Sequence, residues 1–343
     1  MPLSPYPDAS TPLETGRKGR LVRVSAPARL HLGFLDLNGG LGRQFGSIGL
    51  AIDQPATQLT LGHAPADQVE GLETRRARRT LERFKSLLKL EGGYRLEISR
   101  SIPPHAGLGS GTQLAMAVGA GLATIEGLAT KVRTLGEMQD RGARSAIGMA
   151  AFEDGGFVVD GGRGKRETAA PIIARANFPS AWRILLVLDP KCLGVHGESE
   201  TVAFETLAPM DEALSAEMCR VTLMQLLPAL AEQDIEAFGA AVGVVQRING
   251  AYFASAQGGG IWSSPGVEGV VKRMAQLGAV GIGQSSWGPT GFAFAASQAH
   301  AASILSGVED DARRADLKVI IVRGRNHGAS IECAVADRLS TTS

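Results

Sequence analysis

Residues 102–113 read Ile-Pro-Pro-His-Ala-Gly-Leu-Gly-Ser-Gly-Thr-Gln, a glycine-rich turn set between a strand pattern and a helix pattern. Upstream, Tyr94, Leu96 and Ile98 alternate with Arg95, Glu97 and Ser99, the period of a strand; downstream, Leu114 to Leu128 is a small-residue run compatible with a helix. The turn therefore delivers the chain to a helix N-terminus. Gly107, Gly109 and Gly111 carry no Cβ to hold an anion off the backbone, so successive N–H groups and the positive end of the helix dipole can face phosphate oxygens. Ser110 and Thr112 add hydroxyls able to cap the helix or reach a phosphate-bound metal. Pro104, Gly107, Leu108, Gly109, Ser110, Gly111, Thr112 and Gln113 are accordingly the expected phosphate-side residues. The same turn also suits tight packing alone. It lacks the Lys-Ser or Lys-Thr of the common nucleotide-triphosphatase loop and the G-x-G-x-x-G spacing of dinucleotide-binding folds, so neither fingerprint applies.

Composition narrows the partners. With 343 residues, 44% apolar and 20% charged, the chain has material for two cores, and 35 basic against 34 acidic residues leave a formal charge of +1, which gives no reason to expect nucleic acid. The basic run Arg75-Arg76-Ala77-Arg78-Arg79 falls among Leu72, Leu81, Phe84, Leu87 and Leu88 and reads as the solvated face of a helix. Cys192, Cys219 and Cys333 are odd in number and widely spaced, which points to free thiols in a reducing cytoplasm and gives no metal-ligand spacing. Residues 1–20 are rich in Pro, Ser, Thr and Gly without an apolar core, and read as a disordered tail rather than a signal peptide. No run approaches the roughly 20 apolar residues of a membrane helix, so no membrane partner is expected.

The folded part is expected from Leu21, where Leu21-Val22-Arg23-Val24 is strand-like. The turn-rich Asn177-Phe178-Pro179-Ser180, followed by the buried-strand pattern Arg183–Pro190, sets a boundary near residue 180, so residues 21–180 and 181–339 read as two domains. Ile235, Phe238, Val242, Val245 and Ile248 recur at helical spacing, as do Val267, Val270, Val271 and Met274 in part; Thr290–Phe294 and Lys318–Val322 read as strands. The mixture is α+β, with no internal repeat.

Three segments in order resemble the GHMP kinase superfamily, which includes galactokinase, homoserine kinase and mevalonate kinase. Pro104–Gln113 is similar to its second motif, which holds ATP phosphates; Ala26–Gly33 resembles the first, a substrate-side strand; Gly283–Phe292 resembles the third. Within the superfamily, Ala28–Leu37 with Leu41–Asp53, Ala106–Gln113 and Phe152–Gly162 is most similar to the β-ribofuranosylaminobenzene 5′-phosphate synthase family of methanopterin biosynthesis. The resemblance implies a GHMP-kinase-like two-domain fold, with a left-handed βαβ crossover in the N-terminal domain and a ferredoxin-like C-terminal domain. It also implies a homodimer and a reaction between phosphoribosyl pyrophosphate and 4-aminobenzoate or 4-hydroxybenzoate that releases pyrophosphate and carbon dioxide. Acid-bearing kinases of the superfamily carry a Mg-binding Glu and, further on, an Asp that serves the accepting hydroxyl. Here Glu137 survives, but Gly148 stands at the Asp position. An aromatic ring attacking a ribosyl cation has no hydroxyl proton to remove, so the departure favours the synthase over a kinase, although homoserine kinase also manages without that Asp.

A synthase of this kind must neutralise a departing pyrophosphate, for which Mg²⁺ held by Ser110 and Glu137 is the expected cofactor. Arg29 can fork onto a carboxylate or phosphate, and His31, two residues along the same strand, projects from the same face; these two are the expected catalytic residues. Asp36 and Arg43 are weaker binding candidates that also suit the close of a hairpin through Asn38-Gly39-Gly40. His196, in a polar stretch after a buried strand, reads as ligand-facing or as a turn; Trp287 offers a flat face to an aromatic acid or fills a core. Arg323, Arg325 and His327 reach either the ribose phosphate or solvent. Two other readings stay open: an ATP-dependent small-molecule kinase, and a non-catalytic ligand sensor on the same fold.

Overall fold

In the computed structural model the chain is described over residues 19–139, 142, 144–165, 169–194 and 198–335. The expected tail lies almost wholly outside the described residues, and so does His196. The first described element is β1 (Arg20–Asp36), which begins one residue before the expected start. It continues through β2 (Phe45–Ala64), β3 (Gln68–Gly71), α1 (Thr74–Leu88), β4 (Gly93–Arg100), α2 (Ser110–Glu126), α3 (Val132–Glu137), α4 (Ile147–Glu153), β5 (Phe157–Asp160) and β6 (Ile172–Ala176). The second half holds β7 (Arg183–Leu188), α5 (Glu198–Thr206), α6 (Glu212–Val221), α7 (Leu227–Glu232), α8 (Ile235–Phe253), α9 (Pro265–Gln276), β8 (Val280–Gln284), β9 (Gly291–Ala295), α10 (Gln298–Arg314), β10 (Lys318–Val322) and β11 (Ser330–Val335).

The first sheet runs β11-β1-β2-β4-β3, with β5 and β6 continuing from β2. Its pairings are antiparallel except for β3 beside β4, which are parallel and joined through α1. The second sheet, β10-β7-β9-β8, is antiparallel and, counted along this half of the chain, has the order 4-1-3-2 of a ferredoxin-like unit. This is the α+β, GHMP-kinase-like architecture that the motifs imply. The segment 181–339 does not stay on the second sheet, because β11 returns to pair with β1 from Arg20↔Val335 to Ser25↔Ser330. No local pattern in β11 names its partner strand.

Strand period explains β1: Val22, Val24, Ala26, Ala28, Leu30 and Leu32 are buried on one face, which leaves Arg29 and His31 on the other. α2 is buried almost all round, since it lies on the first sheet with α1, α3 and α4 around it. Its small residues make this possible. A Cβ at Gly119 would fall 2.5 Å from the Phe84 ring of α1. The helix stops at Gly127, whose left-handed backbone (φ 66°) turns its N–H onto Ala123 and Thr124 carbonyls. On α1, Ala77, Leu81 and Phe84 are buried while Arg75, Arg78 and Arg79 face solvent, so the basic run is the solvated face its spacing predicts. Leu72 and Leu87 are half exposed. One core joins the two sheets through Leu30, Leu32, Ile184, Phe238, Val242 and Phe294. The three cysteines are free thiols, and no helix among the described residues is long and apolar enough to cross a membrane.

Candidate active site

The turn before α2 is held from behind, carbonyl by carbonyl. Gly194 N–H donates to His105 O (3.0 Å), Thr290 Oγ1 to Ala106 O (2.7 Å), Ser285 Oγ to Gly107 O (2.7 Å) and Arg29 N–H to Leu108 O (3.1 Å). The Arg29 guanidinium adds a second bond to Gly107 O at 2.5 Å. With its carbonyls turned onto β1 and the 284–290 turn, the loop leaves the opposite side to amide groups. The first four N–H groups of any helix lack an intrahelical acceptor, so α2 presents Ser110, Gly111 and Thr112 at a ready anion site. Two glycines make the interlock possible. Gly107 (φ 76°) and Gly288 meet so closely that a Cβ on Gly107 would lie 2.2 Å from Ser285 O, and one on Gly288 would lie 2.3 Å from Gly107 N.

Not every expected phosphate-side residue faces that site. Leu108 is buried at 1% exposure in the shared core, so its side chain anchors the loop rather than touching a ligand. Gln113 is fully buried and donates from Nε2 to Gly148 O (2.7 Å), tying α2 to α4. Pro104 is exposed at the outer bend.

Arg29 acts as the loop's brace. Arg29→Ala is expected to lower turnover by about 10²-fold, since a misplacement near 1 Å costs that much, while the circular dichroism spectrum stays unchanged; full turnover in the variant would remove Arg29 from the machinery. His31 is 2% exposed, and burial with the nearby Arg29 guanidinium pushes its pKa down to about 3, so the ring is uncharged. The uncharged ring has no imidazolium proton to give as a general acid, and so low a pKa makes it a weak base.

Beyond the loop, the hairpin joining β1 to β2 and the segment after β5 enclose a cleft of about 700 Å³. Arg43, Arg144, Arg163 and Lys165 line it with Phe45, Phe204 and, as the one acid among the described residues, Glu205. Arg43 is fixed by donating to Gly161 O (2.7 Å) and Gly162 O (2.8 Å), and Arg144 lies 4.9 Å from the Phe204 ring centre. Asp36 closes the hairpin instead, accepting from Asn38 N–H (2.9 Å) and Gly39 N–H (3.0 Å).

The comparisons with known proteins follow this geometry. Two family models match, "GHMP kinases N terminal domain" at residues 75–156 and "GHMP kinases C terminal" at residues 226–313. A beta-ribofuranosylphenol 5′-phosphate synthase of Archaeoglobus fulgidus is 32% identical over 330 residues, 91% of this chain and 100% of that protein. One from Methanothermobacter thermautotrophicus is 31% identical over 336 residues, 89% of this chain and 97% of its own. The chain belongs to the beta-ribofuranosylphenol 5′-phosphate synthase family of the GHMP kinase superfamily. A homoserine kinase structure from Cytophaga hutchinsonii, 16% identical, superposes with a TM-score of 0.63 over 94% of this chain and 100% of that one, which shows the shared fold.

In this synthase-family member, Gly148 packs directly on the anion site. A Cβ there would stand 3.0 Å from Thr112 Cγ2, so any larger residue would press on the Thr112 side chain, which would have to give by a few tenths of an ångström. Glu137 ends α3 and pairs with Arg133 at 3.3 Å with its side chain 40% exposed. Trp287 is 3% exposed, its ring 4.6 Å from Phe253 and 5.2 Å from Phe204. Arg325 is absorbed by the fold: it donates from Nη2 to Gly328 O (2.8 Å), and Arg323 N–H donates to Asp53 Oδ1 (2.9 Å).

Asp160 is the residue that sequence reasoning passed over. Wholly buried at the end of β5, its Oδ2 accepts from Ser47 Oγ (2.5 Å), Ala146 N–H (2.9 Å) and Ser145 Oγ (3.3 Å), and its Oδ1 from Gly162 N–H (3.0 Å). It thereby fixes Ser145 and the entry to α4 beside the anion site. Burial raises its pKa against those hydrogen bonds. The available signal was its place at the end of the apolar strand Phe157-Val158-Val159 before Gly161-Gly162.

Proposed function

We propose that this chain joins ribose 5-phosphate to an aromatic ring in methanopterin biosynthesis. Phosphoribosyl pyrophosphate is the donor, a 4-substituted benzoate the acceptor, and pyrophosphate and carbon dioxide leave. The observation that carries the reading is the 31–32% identity to two beta-ribofuranosylphenol 5′-phosphate synthases across about nine-tenths of the chain. The loop supports it with amides for the pyrophosphate, and the basic cleft with four cations for the phosphate on the ribose.

The bond from ribose C1 to pyrophosphate breaks and its electrons leave with that group. The ring carbon bearing the carboxylate supplies the pair for the new carbon–carbon bond, with electron density fed from the para oxygen or nitrogen. Carbon dioxide then departs and returns its pair to the ring, restoring aromaticity. No proton is lost from the ring, so the chemistry needs no general base. That agrees with glycine at 148. The remaining work is orientation and exclusion of water, which would capture the cation.

Ser110 and Glu137 are hard oxygen donors of the kind Mg²⁺ takes when phosphates and water complete its shell, and they would hold the ion in this reading. When bound, it neutralises charge on the leaving group. The reading takes the enzyme to be cytoplasmic, from its free cysteines, and a homodimer, from the family resemblance.

The test is incubation of purified protein with Mg²⁺, phosphoribosyl pyrophosphate and either 4-hydroxybenzoate or 4-aminobenzoate, with products weighed by mass spectrometry and carbon dioxide trapped. A decarboxylated ribosyl-arene phosphate with matching carbon dioxide is the expected result. No product from either acid, with ATP consumed in a parallel tube against an alcohol, would replace this reading with a kinase.

A further inference from the structure

Phe45, on the wall of the basic cleft, holds a backbone conformation that its side chain disfavours. Its φ is 75°, in the left-handed region, where a bulky residue is an outlier and Gly or Asn is at ease. Backbone strain of this kind persists at sites that use it. The neighbouring rings say which surface Phe45 offers. Phe204, on α5, is surrounded: the rings of Phe34, Phe253 and Trp287 stand 5.6, 5.7 and 5.2 Å from its centre, and the Arg144 guanidinium 4.9 Å. Among the described residues Phe45 meets the rings of Phe34 (5.8 Å) and Phe204 (5.6 Å, at 88°) alone and is partly exposed, so its surface is the one left to the cleft. Next to Phe204 in the chain stands Glu205, exposed and lining the same cleft. Its charge is out of keeping with its place. Arg43, Arg144, Arg163 and Lys165 suit a phosphate, and a carboxylate among them weakens their hold on one.

We infer that the acceptor ring lies against Phe45 in this cleft and that Glu205 accepts a hydrogen bond from its para hydroxyl or amino group, which makes Glu205 a catalytic residue. The inference rests on the function proposed above and goes further, in giving the acceptor its place and the developing charge its counter-ion. The cleft, at about 700 Å³, falls within the range of about 300–1,000 Å³ that receives a drug-sized ligand, so a ribose phosphate and one benzene ring fit it together. When the ring carbon bearing the carboxylate bonds to ribose C1, pyrophosphate leaves with the C1–O pair and the ring carries a positive charge that the para oxygen or nitrogen shares. Four cations nearby raise the energy of that charge. A carboxylate at the para end lowers it, and the hydrogen bond it accepts is stronger in this intermediate than with the resting acid, which is the condition for a faster step. The proton shifts toward Glu205 and returns when carbon dioxide departs and leaves its pair in the ring, so no proton is lost overall. The π-system of Phe45 favours the same positive charge.

The experiment is calorimetric titration with 4-hydroxybenzoate, 4-aminobenzoate and 4-fluorobenzoate of protein supplied with Mg²⁺, pyrophosphate and ribose 5-phosphate, which fill the donor's place without reacting; turnover with phosphoribosyl pyrophosphate is measured alongside. Fluorine is close to a hydroxyl in size and has no proton to donate. Wild-type protein is expected to bind the hydroxy and amino acids ~10-fold tighter than the fluoro acid, the worth of one hydrogen bond to a charged group. Glu205→Ala is expected to erase that ratio, to lower kcat by ~10²-fold, and to leave the KM for phosphoribosyl pyrophosphate unchanged or lower, an outcome that damage to the fold would not give. Phe45→Gly relieves the backbone at φ 75°, so its unfolding midpoint is expected to hold while all three acids bind ~10-fold more weakly with their ratio kept. Equal affinities in wild type, a ratio or kcat that survives in Glu205→Ala, or acid affinities indifferent to Phe45→Gly would overturn the inference, and product from the wild type would then leave the proposed reaction standing. The expected ratios without product from any acid would uphold the ring site and remove the proposed reaction.

Discussion

Gly107→Ala is expected to lower turnover by about 10²–10³-fold, the range for loss of a preorganised anion-binding donor, with helix content unchanged. The added methyl group has two costs. Gly107 sits at φ 76°, where an L-residue pays roughly 1–2 kcal/mol, and the Cβ would lie 2.2 Å from the backbone oxygen of Ser285. Backbone cannot swing aside as a side chain can, so the loop must lift off the 284–290 turn. That motion breaks the bonds from Ser285 and Arg29 to Gly107 O and turns the amides away from the pyrophosphate. Gly127→Ala is the control. Gly127 also has a positive φ, 66°, but nothing stands within 4 Å of an added Cβ, so this variant is expected to lose about 1 kcal/mol of stability and keep full turnover. Steady-state rates and donor affinity of the two variants, measured together, decide the matter. Equal turnover in both would show that the interlock of Gly107 with Gly288 is dispensable.

Asp160→Ala is expected to lower the unfolding midpoint by roughly 5–10 °C and to reduce turnover with it. Four donors, the Ser47 and Ser145 hydroxyls and the amides of Ala146 and Gly162, lose their shared acceptor. Leaving buried donors unpaired costs about 1–3 kcal/mol each before relaxation, and about 2–4 °C of midpoint accompanies each kcal/mol in a chain of this order of size. Ser145 and the start of α4, which packs on the anion site, then lose their anchor, so donor affinity falls with stability. Asp160→Asn keeps an oxygen acceptor and separates charge from geometry. Burial raises the folded carboxyl above its ordinary 3.8, so the folded state keeps this proton to higher pH than the unfolded chain does. The stability that Asp160 contributes is therefore fully present below 3.8 and diminishes as pH rises through the folded value. Denaturant melts across that window should show the difference between wild type and Asp160→Asn shrinking as pH increases; a difference that grows would mean the carboxyl is folded in its charged form at all these pH values.

The phosphate loop, the strand before it and the helix after it were legible in the sequence, because each is specified within a few residues. Period-2 alternation gives β4, small residues give α2, and positive-φ glycines fit the turn between them. The order of the three motifs also carried the superfamily and its α+β fold. Local pattern was blind to direction and distance. Arg29 and His31 lie on one strand face, as their spacing requires, yet the first braces the loop 78 residues away and the second is buried, its backbone N–H donating to Ser285 Oγ across 254 residues. Leu108 and Gln113 look like ligand residues in the motif and are packed as supports, since burial of a side chain depends on what the rest of the chain lays over it.

The basic cleft is the clearest case. Arg43, Arg144, Arg163 and Lys165 form no cluster along the chain; pairing of β2 with β5 at Ser47↔Asp160 and the bridge of Gln44 to Arg163 bring their segments together. The return of β11 to β1 is likewise a choice among strand edges that only the assembled sheet offers. The amino-acid sequence by itself determined the anion-binding loop, whose geometry is a property of a dozen consecutive residues. Only the tertiary structure decided which way its carbonyls face and which charges stand opposite, because those depend on contacts between segments that are far apart in the chain and have no local energetic signature.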